Sequence, residues 1–163
     1  MPLHVPSEKV RVRNVVRAKG TGTGSMEVRQ AYGTESSFMH AIRAPGYHTT
    51  PHQHLAEQIN YVLDGEIWFF VEDQAFHCKT GDFQRIPSNK VHWAWNRSDA
   101  PATVMEVHSP ALIEGYDPEE LTPLFAEGEE RVVRTPCKNE WVEFDQAAVE
   151  RKHFAAEVPA GSR

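Results

Sequence analysis

The chain has 163 residues, 40 % of them hydrophobic, and a formal net charge of −6 at pH 7. That length suits one folded unit with a real apolar core. The negative balance excludes broad electrostatic contact with nucleic acid or an anionic membrane surface, because both reward a basic face. No apolar run approaches the roughly 20 residues of a membrane span. Cys78 and Cys137 form no disulfide framework and match no zinc knuckle, so they read as small buried thiols. The N-terminal stretch has no signal-peptide core, and a cytoplasmic location is expected.

In chain order, Val10 and Val12 alternate with Arg11 and Arg13, which predicts a half-exposed strand within residues 8–18. Gly20-Thr-Gly22-Thr-Gly24-Ser25 lacks the Walker spacing and its Lys-Ser/Thr ending, so it reads as a turn. Residues 26–32 and 36–43 read as two more strands, the second with Phe38, His40 and Ile42 on one face. Pro45-Gly46 breaks the chain. Gln58 to Leu63 is rich in β-branched and aromatic residues and is strand-like. Asp64-Gly65 is a hairpin signal, followed by the buried strand Ile67 to Val71. Further strands are expected over 75–79, 83–86, 91–96 and 103–108, each bounded by turn residues. In the segment 91–96, His92, Ala94 and Asn96 share one face, with Trp93 and Trp95 on the other. Residues 111–135 are acidic and irregular, which predicts a solvated surface segment. Asp145 is a cap signal for a helix over Gln146–Ala156. Many short strands spaced by roughly ten residues are the pattern of an all-β sandwich or barrel.

The chemistry-bearing residues concentrate between Gly46 and Asn96. His52 and His54 are two residues apart, a spacing that puts both imidazoles on one face of a strand. With His92 further on, and Glu57 and Gln58 as neighbouring oxygen donors, they contain most of a metal shell. No nucleophile elbow is present, and neither cysteine has a catalytic signature. His40 is a candidate acid/base group, as are Glu106 and His108, which share a strand face opposite Met105 and Val107. His48 and Arg85 are weaker candidates, and His4, His77 and His153 read as surface residues. The aromatic residues Tyr47, Tyr61, Trp68, Phe69, Phe70, Phe76, Phe83, Trp93 and Trp95 read mostly as core. Any that reach the barrel mouth suit a planar organic ligand.

Two motifs make a resemblance specific. Gly46, five residues, His52-Gln53-His54 and the closing Gly65 resemble the first motif of the cupin superfamily, with Gln58 where that motif carries a glutamate. Gly81, Pro87, His92 and Asn96 match the second motif. Asn89 replaces its usual glycine, a mild change because asparagine tolerates the left-handed conformation. The resemblance implies a double-stranded β-helix, the jelly-roll cupin barrel, as one domain over 1–163. Its core would span 36–110, with N-terminal strands over 8–32, a C-terminal extension over 111–163 and a short C-terminal helix. It also implies the ligand set His52, His54, Gln58 and His92 around one divalent transition metal, open among Zn, Fe, Ni, Mn and Cu. Glu57 is the competing oxygen ligand. Adjacent strand residues face opposite ways, so only one of the pair points inward.

A neutral amide in place of a carboxylate leaves the ion fully dicationic. It tilts the expected chemistry toward Lewis-acid and proton-transfer reactions. The implied function is a metal-dependent enzyme of cyclase or isomerase type, acting on a small oxygenated, aromatic or polyketide-like molecule. The chain is similar in this respect to the aromatic polyketide cyclase cupins. The alternatives are a dioxygenase of quercetinase or diketone-cleaving type and a non-catalytic small-ligand binder. A homodimer is expected, because Ile59, Tyr61 and Leu63 form an apolar outer face that needs a cover.

Overall fold

The computed structural model describes residues 3–113 and 121–155. After a short 3-10 turn at Ser7–Lys9, the strands are β1 (Arg13–Val16), β2 (Gly22–Thr23), β3 (Ser25–Tyr32), β4 (Ser37–Arg43), β5 (His48–Thr49) and β6 (His52–Gln53). They continue as β7 (Glu57–Asp64), β8 (Glu66–Val71), β9 (Gln74–Lys79), β10 (Phe83–Ile86), β11 (His92–Trp95) and β12 (Ala102–Ser109). Two short strands, β13 (Thr122–Pro123) and β14 (Glu140–Trp141), precede helix α1 (Gln146–Phe154). The longer strands fall where the alternation predicted them. β2, β5, β6, β13 and β14 are two residues each and carry too little pattern to be read from sequence; β2 corrects the reading of residues 20–25 as a turn, since Gly22 and Thr23 pair with Thr49 and His48. Pro51, which has no N–H to give to a ladder, separates β5 from β6.

The strands form two sheets. One runs β1-β3-β4-β12-β7-β10, with β13 beside β3. The other runs β14-β6-β11-β5-β2, with β8 joined to β11 and β9 to β8. Apart from the parallel β13–β3 pair, the ladders are antiparallel. The two sheets face each other, as the predicted double-stranded β-helix requires. Gly65 joins β7 to β8 with φ +80°, and a Cβ there would lie 2.6 Å from the Pro101 carbonyl oxygen, so the turn needs glycine. Asn89 sits in the left-handed region with φ 59°, the conformation expected of a glycine substitute.

The period-2 alternation sets what faces inward. β12 turns Ala102, Val104, Glu106 and His108 inside, and β7 turns in Gln58, Asn60 and Val62. The register aligns Val104 with Val62, Glu106 with Asn60, and His108 with Gln58. One end of the interior is therefore apolar, built from Val62, Ile67, Phe69, Cys78, Ala94, Ala102 and Val104. The other end is polar. α1 begins at Gln146 as predicted, capped by the Asp145 carboxylate accepting from the Ala148 N–H. The predicted end at Ala156 lies outside the described residues. Val149 and Phe154 pack the helix onto Phe70, Trp93, Trp68 and Trp95.

The expectation of a solvated surface segment over 111–135 is corrected. Leu121 and Phe125 are buried with Tyr32, and Ile113 and Val133 pack on them. Acidic residues between these apolar ones masked the pattern. Cys78 and Cys137 are buried, as predicted. No helix among the described residues is long and apolar enough to cross a membrane.

Candidate functional site

The polar end of the interior is a cavity of about 90 Å³. His52, His54, Gln58 and His92 all line it, together with Arg17, Arg43, Tyr47, Glu106, His108 and Asn139. β6 and β11 bring His52 and His92 into direct cross-strand register, while His54 follows β6 and Gln58 is the second residue of β7. The ring centroids of His92 lie 4.3 Å from His52 and 4.7 Å from His54, and His52 and His54 are 6.2 Å apart.

Backbone carbonyls determine which nitrogen of each ring carries its proton. Nδ1 of His52 lies 2.9 Å from the Thr50 carbonyl oxygen, Nδ1 of His54 lies 2.8 Å from that of Ala56, and Nδ1 of His92 lies 2.8 Å from that of Lys90. A carbonyl only accepts, so each Nδ1 is the donor and each Nε2 of a neutral ring presents its lone pair. The rings are neutral at ordinary pH. Burial lowers the pKa of His52 to about 4, lowers His54, and with the adjacent His52 takes His92 well below its usual value. Nε2 of His92 is buried without a partner among the described residues.

Gln58 completes this arrangement through a chain of amides that sequence reasoning missed. Gln84 donates from Nε2 to the Arg85 carbonyl at 2.8 Å, so its Oε1 is free to accept from Asn60 Nδ2 at 2.6 Å. Asn60 Oδ1 then accepts from Gln58 Nε2 at 2.7 Å, which turns Gln58 Oε1 toward His54 Nε2 at 3.2 Å. Two lone pairs thus face each other in a buried place, an arrangement that a cation between them relieves. The residues fit a metal on three observations: the three Nδ1-anchored imidazoles, the unpartnered His92 Nε2 and the oxygen-first presentation of Gln58. Among the described residues, no three His, Cys, Asp or Glu side chains stand as a finished metal shell. The site is three neighbouring imidazoles and an amide oxygen.

Beside them lies a buried charged pair. Arg43 and Glu106 form a salt bridge with both side chains 4 % exposed. Burial alone would raise the Glu106 pKa, but Arg43, with His108 and His54, holds it below the usual carboxylate range. Burial likewise works against the Arg43 charge, which Glu106 and Tyr47 more than restore. His108 Nε2 is 3.7 Å from Glu106 Oε2, and its Nδ1 has no partner among the described residues. Burial lowers the His108 pKa to about 4.

Two expectations about the polar residues meet different outcomes. Glu106 and His108 do enter the cavity. His40 does not: along β4 the inward residues are Ser37, Met39, Ala41 and Arg43, so His40 shares the outer face with Phe38 and Ile42. The alternation was legible, but which face was inside depended on the pairing of β4 with β12. The same logic separates Gln58 from Glu57, which points outward to an exposed ion pair with Arg85. His48 is structural, stacking on Trp95 and facing Glu150 and Gln146 of α1. Of the aromatic residues, Tyr47, Phe69 and Trp93 line the cavity. Arg43, Asn60 and Gln84 left one faint signal, polar residues at inward positions of otherwise apolar strands.

Known proteins bear on this geometry. Residues 39–108 match a family model described as "Cupin domain". The chain is similar to a solved predicted oxalate decarboxylase from Thermotoga maritima, with TM-score 0.58, 21 % identity, and coverage of 66 % of this chain and 98 % of that one. It is also similar to the polyketide cyclase RemF from Streptomyces resistomycificus (TM-score 0.55, 19 % identity, 65 % and 78 % covered). A third similar structure is a cupin sugar phosphate isomerase from Silicibacter pomeroyi (TM-score 0.54, 18 % identity, 65 % and 74 % covered). At these identities the likeness concerns the fold. A comparison with curated proteins finds no match.

Proposed function

We propose, from the match of residues 39–108 to a cupin domain model, a metal-dependent enzyme acting on a small oxygenated substrate by acid/base chemistry of isomerase or cyclase type. His52, His54, His92 and Gln58 would hold one divalent transition ion. The observation that carries this reading is the set of three neutral imidazoles, His54 and His92 buried and His52 half-buried. Each has its Nδ1–H fixed on a backbone carbonyl, and they stand beside a histidine–carboxylate pair in one cavity. When bound, the ion supplies Lewis-acid polarisation of a substrate oxygen.

The protein's own groups divide the remaining work. The amide chain from Arg85 through Gln84 and Asn60 holds the Gln58 oxygen in place. Glu106 stays ionised against Arg43 and favours the His108 tautomer with hydrogen on Nε2. The His108 Nδ1 lone pair is then the proton acceptor, and the imidazolium it forms is stabilised by the Glu106 carboxylate. The apolar plug of Val62, Phe69 and Val104 closes the other end of the interior and limits water. The cavity volume favours a small molecule over an extended polyketide.

The test is metal analysis of protein purified without added metal, joined to proton exchange in D₂O. The expected result is one ion per chain, lost in His52→Ala/His54→Ala, and metal-dependent deuterium uptake next to the carbonyl of small ketones and keto acids. Unchanged metal content in that double variant, or stoichiometric oxygen consumption in place of exchange, would overturn the reading.

A further inference from the structure

The charges around the cavity do not balance. Among the residues that line it, Arg17 and Arg43 are cationic and Glu106 is the sole carboxylate. Glu106 pairs with Arg43 through Oε1 and faces His108 through Oε2. Arg17, just beyond β1, has no carboxylate partner among the described residues. Its Nε and Nη2 donate to the Tyr47 hydroxyl at 3.3 and 2.7 Å. Its guanidinium carbon lies 5.4 Å from the Tyr47 ring centroid and 5.9 Å from that of Trp141. Trp141 in turn packs on His52 at 5.0 Å.

These contacts hold the guanidinium against the imidazole cluster while engaging two of its five N–H groups, which leaves three for a ligand. Two aromatic faces and a buried hydroxyl anchor a side chain that would otherwise extend into water, and its charge meets no carboxylate among the described residues. A planar fork of N–H donors matches a carboxylate, which can accept two parallel hydrogen bonds from it. In the same cavity Asn139 adds a buried side-chain oxygen without a partner among the described residues, suited to a substrate hydroxyl.

We propose that the cavity takes a small organic anion, a hydroxy- or keto-carboxylate. Its carboxylate would rest on Arg17, and its second oxygen would face the histidine cluster. This rests on the cavity being the substrate site, but the anion contact does not require the metal. The cavity volume of about 90 Å³ keeps the class to small acids.

The experiment is isothermal titration of glycolate and pyruvate against their neutral amides, glycolamide and pyruvamide, with metal-free and zinc-loaded protein. Arg17 is half-buried and borders the cavity, so Arg17→Gln should remain folded. Arg17→Lys retains the charge without the fork, and Arg29→Gln, on an exposed ion pair with Glu27, changes net charge equally at a distance. The expected result is that the acids bind about 10–100-fold tighter than the amides. Arg17→Gln should remove that preference, Arg17→Lys should keep part of it, and Arg29→Gln should leave it intact. Equal binding of acids and amides, no binding of either, or a preference unchanged in Arg17→Gln would overturn the proposal. If zinc fails to bind yet the metal-free protein shows the Arg17-dependent preference, the anion site stands and the metal reading falls.

Discussion

Replacing Asn60 by leucine removes both hydrogen bonds that tie Gln58 to its scaffold while roughly conserving side-chain volume. Asn60 is fully buried. It accepts from Gln58 at 2.7 Å and donates to Gln84 at 2.6 Å. The substitution leaves the Gln58 amide nitrogen and the Gln84 oxygen without partners in a buried place, at about 1–3 kcal/mol each. The fold should therefore lose about 2–6 kcal/mol, measurable by urea denaturation. The more telling effect is on the metal. Without its acceptor, the Gln58 amide is free to rotate, and zinc affinity should fall about 10–100-fold. Competition against a chromophoric chelator reads this directly, after near-UV circular dichroism has shown that the variant is folded. Asn60 acts through Gln58, so Asn60→Leu in a Gln58→Ala background should cost no further affinity. Wild-type affinity in Asn60→Leu, or additive losses in the double variant, would refute the amide chain as the positioning device.

Other outcomes follow from the same structure. The His108 pKa in the fold, about 4, lies below its ordinary 6.5. As pH falls, the unfolded chain takes up that proton first, so stability is full above pH 6.5 and declines between about 6.5 and 4. The loss is up to about 3 kcal/mol, and melts of metal-free protein should show a shallower decline in His108→Gln. Arg43→Met leaves Glu106 buried and unpaired and should cost about 3–5 kcal/mol in urea denaturation. Adding Glu106→Gln should recover most of it, and no recovery would mean that Arg43 acts chiefly by packing. Asn89→Val places a β-branched residue at φ 59° and should lower stability by about 1–2 kcal/mol, whereas Asn89→Gly should be close to neutral in the same assay. We also propose that the outer face of the β10-β7-β12-β4 sheet pairs two copies of the chain. Phe38, Ile59, Phe83 and Val107 are exposed there, and sedimentation should show a dimer that Ile59→Lys/Val107→Lys converts to a monomer.

The sequence by itself determined the longer strands, because period-2 alternation and turn residues are local signals that a strand of four or more residues carries whole. It also determined the spacing that brings His52, His54 and His92 together, since two glycine-bounded motifs specify two hairpins of one barrel. The left-handed turn at Asn89 and the helix cap at Asp145 were legible for the same local reason. Only the tertiary structure decided which face of each strand is inside. That choice put Gln58 and Glu106 in the cavity and sent Glu57 and His40 outward, although all four sit on strands that alternate cleanly. Arg17, Arg43, Asn60 and Gln84 join the site from separate strands and the loop after β1. Their roles lie in contacts 24 to 63 residues apart in sequence, which no window along the chain contains. Burial of Leu121 and Phe125 against Tyr32 was hidden in the same way. An apolar residue among acidic neighbours shows its face only when something packs against it.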